Sequence, residues 1–313
     1  MNLHQFRFVD AAVRNGLNLT AAARSLNTSQ PGVSKAIIEL ENELGIKIFV
    51  RHGKRIKRVT EPGQYVVESI ATILREVGNL RRIGEEYKAE DAGTLSIATT
   101  HSQARYVLPR PVAQLRSRYP QVNISMHQGT PAQVAQMVTD EIADIGIATE
   151  ALSDFRELIT LPCYEWQHVL IMPADHPLAQ LQPLTLEAIA ELPLVTYDPS
   201  FTGRKRIDNA FAQRGLTPQI ALEAIDSDVI KTYVRLGLGV GIVAEMSVDA
   251  EVDSDLVARP LGAFLGQNIA RIALKRDAYL RDFVYHFAEL LSNRLDKNLI
   301  QQALTGDATH YDL

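Results

Sequence analysis

Two stretches of turn chemistry, Asn15-Gly16 and Asn27-Thr28-Ser29 with Pro31 behind them, cut the first 45 residues into helices too short to stand alone. Such helices persist only if they pack on one another. The spacing predicts a first helix over 3–14, with Phe6, Val9, Ala12 and Val13 on one side. Thr20 is placed to cap a second over 21–26 that presents Ala22, Ala23 and Leu26. The third opens after Ser29, with Pro31 where a missing N–H costs nothing, and runs through Val33, Ile37, Leu40 and Leu44 to Gly45.

A short helix, a tight polar turn and a longer helix with a lysine-bearing start form a helix-turn-helix, whose second helix enters a major groove. Thr28, Ser29, Gln30, Pro31, Ser34 and Lys35 would then face double-stranded DNA. The Gln30 amide can pair bidentately with adenine, while Ser and Lys serve phosphates or base edges. In "IKIFVRHGKRIKRVT", 46–60, apolar residues flank Arg51-His52-Gly53-Lys54, a hairpin that brings Arg51 and Lys54 within reach of the DNA backbone. Charge agrees: residues 1–60 carry a net +6 and the remainder −11, although the whole chain is only −5. A basic head on an acidic body points to nucleic acid at one end.

From Glu61 to about Lys88 a third pattern appears, with Val66, Ile70, Ile73, Leu74, Val77, Leu80 and Ile83 at helical spacing. The head is too small to cover so long a stripe, so it is expected to pack against its copy in a second chain. Ala21-Ala22-Ala23, Leu26, Ser29-Gln30-Pro31, Val33-Ser34, Leu40-Glu41, Leu44-Gly45, Phe49, Arg51, Thr60 and Gly63 together resemble the N-terminal signature of LysR-type transcriptional regulators. That resemblance implies an all-α winged helix-turn-helix, 1–60, a dimerising linker helix, 61–90, and a periplasmic-binding-protein-like α/β effector domain, 91–295. It also implies a homodimer within a homotetramer, with RNA polymerase as a further partner.

The body alternates strand and helix signals. "TLSIAT" precedes a helix over 102–118, "VNISMH" precedes one over 131–139, and "ADIGIAT", "HVLIMP", "LPLVTY", "QIALEA", "GVGIVAE" and "NIARIALK" supply further strands. Parallel sheets flanked by helices follow, in two lobes joined by two crossovers, with a ligand cleft between them. Lobe I is expected over about 93–163 and 268–292, lobe II over about 164–267. "LGLGVG", 236–241, has the spacing of a dinucleotide fingerprint but the wrong context, because here a helix ends and a strand begins.

Loops at the carboxyl ends of parallel strands face such a cleft, and a helix N-terminus there offers unpaired N–H groups. Thr100, Ser102, Gln103, Thr149 and Thr202 occupy those junctions and form a ring of neutral donors. Donors alone suit an oxyanion without a proton at pH 7, such as sulfate or thiosulfate, although the Gln103 carbonyl could accept from hydrogen phosphate. An enzyme using His101, Glu150 or Cys163 is the rival reading, but no nucleophile and base form a recognisable set. Cys163 is the only cysteine, which excludes an internal disulfide.

"ATTHSQARYVLP", "MHQGTP", "LPCYEW", "FTGR" and "DSDVIKTYVRLGLGVGIVAEM" resemble the branch of LysR-type regulators that activates cysteine biosynthesis and sulfur assimilation. By that resemblance, Thr100, Ser102, Gln103, Thr149 and Thr202 hold a sulfate-like anion with Trp166 at the cleft edge, and Ser102 replaces the more usual Thr. Acetylserine would be the inducer, opposed by sulfide or thiosulfate. A sister type responding to adenosine phosphosulfate and serving sulfonate use is the alternative. No cofactor, metal, export leader or membrane span is expected, which places the chain in the cytoplasm. The tail, 296–313, has no assigned role.

Overall fold

In the computed structural model the described residues are 1–53, 55–88, 92–149, 152 and 154–306, with residues 82, 85–88 and 202 described by their backbone only. The chain divides into two units, Met1–Gly84 and Glu85–Leu313.

Side-chain caps set the helix ends of the first unit. Asn2 accepts from the His4 and Gln5 amides, both at 3.0 Å, and Gln5 returns a bond to the Asn2 amide, so α1, Leu3–Arg14, starts with a capping box. α2 is Leu19–Ser25 and is capped by Asn18, not Thr20: the Asn18 side chain accepts from the Thr20 and Ala21 amides at 3.0 and 3.2 Å. The earlier start also buries Leu19. α3, Gln30–Leu44, is capped by Ser29 and stops at Gly45, whose φ of +69° suits glycine. β1, Phe49–His52, and β2, Arg55–Val59, pair antiparallel as the hairpin. Lys54, at its tip, lies outside the described residues.

Phe6, Val9, Ala12, Val33, Ile37, Leu40, Ile48 and Phe49 form the core of this unit. α4, Glu61–Lys88, does not begin where that core ends. Its Ile70 is buried in it, and Val66, Val67 and Leu74 pack against it. The stripe read from sequence therefore divides: its first turns complete the head, while Ile73 and Leu80 remain 39% and 69% exposed in one chain.

The second unit contains β3 (Ala92–Thr99), α5 (Pro109–Arg118), β4 (Gln121–Gln128), α6 (Pro131–Thr139), β5 (Ile145–Ala148) and β6 (Leu158–Pro173). It continues with α7 (Leu186–Ala190), β7 (Leu194–Tyr197), α8 (Thr202–Ala212), β8 (Ile220–Ala224), α9 (Ser227–Arg235) and β9 (Val240–Ala244). β10 (Leu256–Pro260), α10 (Gly262–Leu265), β11 (Gln267–Lys275), α11 (Asp282–Leu291) and α12 (Lys297–Thr305) complete it. Lobe I has strand order β4-β3-β5-β11-β6, and lobe II is built on β6-β9-β7-β8 with β10 on the other side of β6. β3, β4 and β5 run parallel, as do β7, β8 and β9, while β6 and β11 run against their neighbours. The sheets are therefore mixed, not purely parallel. "LPC" and "HVLIMP", which read as separate pieces, belong to the single strand β6; its first half pairs with β11 and its second with β9 and β10. Pro162 is tolerated because β6 is the edge strand of lobe I there and the pairing shifts register opposite it.

Each lobe has its own apolar core. Part of the tail without a sequence role closes the first: α12 buries Ile300, Ala303 and Leu304 in lobe I. Residues 307–313 lie outside the described ones.

One buried charge fixes the hairpin to the helix behind it. The Glu41 carboxylate on α3, 2% exposed, accepts from the amides of Ile48 and Phe49 at 2.9 and 3.0 Å. Glu41→Ala would leave both amides buried and unpaired, at about 1–3 kcal/mol each. For a unit of this size that amounts to a fall in Tm of roughly 10 °C or more, measurable by circular dichroism of the head; an unchanged Tm would show that the carboxylate is dispensable.

Candidate functional sites

In the basic head, Thr28, Ser29, Pro31 and Lys35 are exposed at the start of α3, and Gln30 and Ser34 are half-buried. The Ser29 hydroxyl is occupied as a cap, accepting from the Gly32 amide at 3.3 Å. Lys35 has only a loose partner, Glu39 at 3.8 Å on an exposed face. Arg51 does not extend away on the hairpin: its Nη1 donates to Ser34 Oγ at 3.1 Å, so the hairpin is fastened to the middle of α3. The two residues present one continuous polar edge.

In the body, the opening turn of lobe I departs from a plain helix. Pro109 lacks the N–H that would bond to residue 105, and the chain relaxes into a π-helical turn, Gln103–Val107, before α5. The Leu108 amide reaches back to the Gln103 carbonyl at 3.0 Å and the Ala104 amide to the Thr100 carbonyl at 3.0 Å. Widening the turn brings Gln103 inward, to 3% exposure, among the carboxyl ends of the strands.

A cavity of about 50 Å³ lies there between the lobes. Thr100, Ser102, Gln103 and Thr149 line it from lobe I, Trp166 from the crossover, and Tyr197, Phe201, Gly203 and Ala244 from lobe II, with Pro131 at the start of α6. Five sequence-predicted residues thus meet. The sixth, Thr202, opens α8, and its side chain lies outside the described ones. Tyr197 and Ala244 were not foreseen, although each ends a strand, β7 or β9, that the sequence pattern located.

Neighbours fix the hydrogen-bond polarity of the cavity. Burial pushes the Tyr164 phenol well above its usual range, so it remains a protonated donor, and it donates to Gln103 Oε1. With its carbonyl engaged, Gln103 offers amide N–H groups to the cavity. This weakens the acceptor role that the sequence left open. The Tyr197 phenol, likewise raised by burial, accepts from the Ala244 amide at 2.9 Å, shares a 2.7 Å hydrogen bond with Ser227, and meets the Ser102 hydroxyl. Among the described residues lining the cavity none carries a charge. The Arg204 guanidinium is turned away, bonded to the Tyr197 carbonyl and Glu223, each at 2.7 Å, and to Asp208.

His168 stands behind this wall. Burial lowers its pKa to about 3, so the ring is neutral, and it packs edge-on against Trp166 with ring centres 4.9 Å apart. Gly203 separates the ring from the cavity. A Cβ there would lie 2.7 Å from His168 Nε2.

The enzyme reading finds no support in the arrangement. His101 sits half-exposed at the cleft mouth, 3.3 Å from Gln128 Oε1, outside the cavity. Burial pushes the Cys163 thiol up to about 12 within β6, far from thiolate chemistry. Glu150 lies outside the described residues. Ligand atoms of His101, Asp226 and Asp228 fall within 4.8 Å of one another, but the Asp228 carboxylate already meets Arg105 and Lys231, two charges that disfavour a divalent cation. No described helix is long and apolar enough to cross a membrane.

Residues 3–64 match the family described as bacterial regulatory helix-turn-helix protein, lysR family, and residues 88–296 match the LysR substrate binding domain. The HTH-type transcriptional regulator CysB of Burkholderia cenocepacia is 56% identical over 313 residues, 100% of both chains. The regulator cbl of Escherichia coli is 47% identical over 290 residues, 93% of this chain and 92% of its own. The crystal structure of the cofactor-binding domain of the Cbl regulator, 44% identical, superposes with a TM-score of 0.66 over 69% of this chain and 95% of its own.

Gly203→Ala tests the cavity wall without touching a donor. The added methyl would meet His168 Nε2 and, at 3.8 Å, the ring of Trp166, the only tryptophan. A shift in tryptophan emission is the expected outcome; a spectrum identical to the parent's would mean that the ring does not sit against Gly203.

Proposed function

Since this chain belongs to the LysR family of DNA-binding transcriptional regulators, and is a regulator with a small-effector domain and not an enzyme, we propose which residues read DNA and what the cleft senses. Gln30 reads base edges in the major groove, assisted by Thr28, Ser29, Pro31 and Ser34, and Lys35, Arg51 and Lys54 hold phosphates. The exposed Tyr65, Ile73 and Leu80 of α4, spaced about two turns apart, support pairing with a second copy, which would set two heads on one site. Two such dimers form the tetramer that engages RNA polymerase at the promoter.

The cleft is the sensor of a sulfur-metabolism oxyanion, and the protein activates cysteine biosynthesis and sulfur assimilation genes, with acetylserine as inducer. The observation that carries this reading is the Gln103 amide, held by Tyr164 so that it donates into an uncharged cavity together with the hydroxyls of Thr100, Ser102 and Thr149. Sulfate and thiosulfate can accept from every one of these groups, whereas hydrogen phosphate would also need one of the hydroxyls to turn and accept from its P–O–H. Thr202 and Trp166 complete the set. The sister reading is a regulator of sulfonate use that responds to adenosine phosphosulfate, whose sulfate-like end the same donors would hold.

Gel shifts on sulfur-assimilation promoters test both halves. Thr100→Ala and Gln103→Ala are expected to bind DNA like the parent yet lose the response to acetylserine and thiosulfate; a normal response would reject the cleft. Gln30→Ala is expected to relax base preference, whereas Lys35→Ala weakens every sequence and lowers the salt slope by about one. Parent-like binding by both would remove α3 from the interface.

A further inference from the structure

The π-helical turn that carries Gln103 also carries Arg105 and Tyr106, and these point across the cleft to one carboxylate of lobe II. Tyr106 Oη donates to Asp228 Oδ1 at 2.7 Å, and Arg105 Nε lies 2.5 Å from Asp228 Oδ2. Asp228 is in the first turn of α9 but does not cap it. That role belongs to Asp226, which accepts from the Val229 amide at 2.8 Å, so the Asp228 side chain is free to face lobe I. The positive end of the helix supports an anion there.

Behind Asp228 the structure is rigidly anchored. Lys231, one turn on and 5% exposed, lies 3.3 Å from Asp228 Oδ1 and is tied to the Ser247 carbonyl and Asp253 at 2.8 and 3.0 Å. Its Nζ also stands 5.5 Å over the Tyr106 ring. Ser227, fully buried, hydrogen-bonds Tyr197 in the cavity wall. The π-helical turn has no side-chain cap of its own. Besides its backbone bonds and the Tyr164 contact, the contacts to Asp228 hold it from the far side.

We infer that Asp228 is a positioning residue of the sensor: from the opposite lobe it holds the Gln103 turn in its donor geometry. The inference rests on the cavity being the effector site. The half-buried Tyr106 bond carries most of the tether, because Arg105 is more than half exposed and an exposed ion pair contributes little.

The full chain is compared with Tyr106→Phe, Asp228→Ala, both together, and Arg105→Met. Without ligand, the Ala104 and Leu108 amides report the turn by hydrogen exchange. Tyr106→Phe and Asp228→Ala are each expected to speed their exchange about tenfold, the double variant no further, and Arg105→Met less than about twofold. Titration with sodium sulfate at constant ionic strength, read by Trp166 emission, is expected to show affinity about three- to tenfold weaker in the same two variants. Parent-like exchange at Ala104 and Leu108 in both single variants overturns the tether, as does faster exchange spread over both lobes. If sulfate leaves Trp166 unchanged in the parent, the anion reading falls, and the exchange data still decide the tether.

Discussion

One strand, β6, runs through both lobes of the body, with β11 paired along its first half, and the geometry of the cleft follows from that sharing. Along that pairing, Asn268 faces Trp166 in register, and its side-chain amide also reaches His168. A strand that belongs to both sheets brings the carboxyl ends of β3, β5, β7 and β9 to one cleft. Helix starts and strand ends from both lobes then line one cavity, although Thr100 and Ala244 are far apart in sequence.

An uncharged cavity suits such a switch. A fixed Arg or Lys in the cleft would bind anions of many kinds and would be costly to bury while the cleft is empty. Neutral donors are cheaper to leave unoccupied, and they discriminate by where each N–H and O–H points. That selectivity requires each amide and hydroxyl to be oriented in advance. Tyr164 does this for Gln103, and the Tyr197–Ser227–Ala244 set does it for the opposite wall. The charges near the cleft are engaged elsewhere: Arg204 with the Tyr197 carbonyl, Glu223 and Asp208, and Lys231 with Asp253.

In the head, local patterns were sufficient because each element is set by near neighbours. The limits of α1 and α3 follow from caps and glycines within four residues of each end, and the structure has the same limits. α2 differed because two polar residues on either side of Leu19 could cap it, and burial of Leu19, a tertiary contact, favours Asn18 over Thr20. The reach of α4 into the head core was hidden for a similar reason. An apolar stripe has one period whether it meets its own unit or another chain, so only packing shows that Ile70 is buried while Leu80 is exposed.

Sequence alone determined the helix-turn-helix, the basic head, the strand and helix alternation of the body, and the placing of Thr100, Ser102, Gln103 and Thr149 at strand ends, because these depend on turn chemistry, charge and periodicity. Tertiary structure decided which way those groups point. The antiparallel course of β6 and β11, the π-helical turn before Pro109, the Tyr164 bond that makes Gln103 a donor, and the meeting of Tyr106 with Asp228 all join residues distant in the chain. Local propensity carries no record of such partners; they meet because two lobes are built on one shared strand.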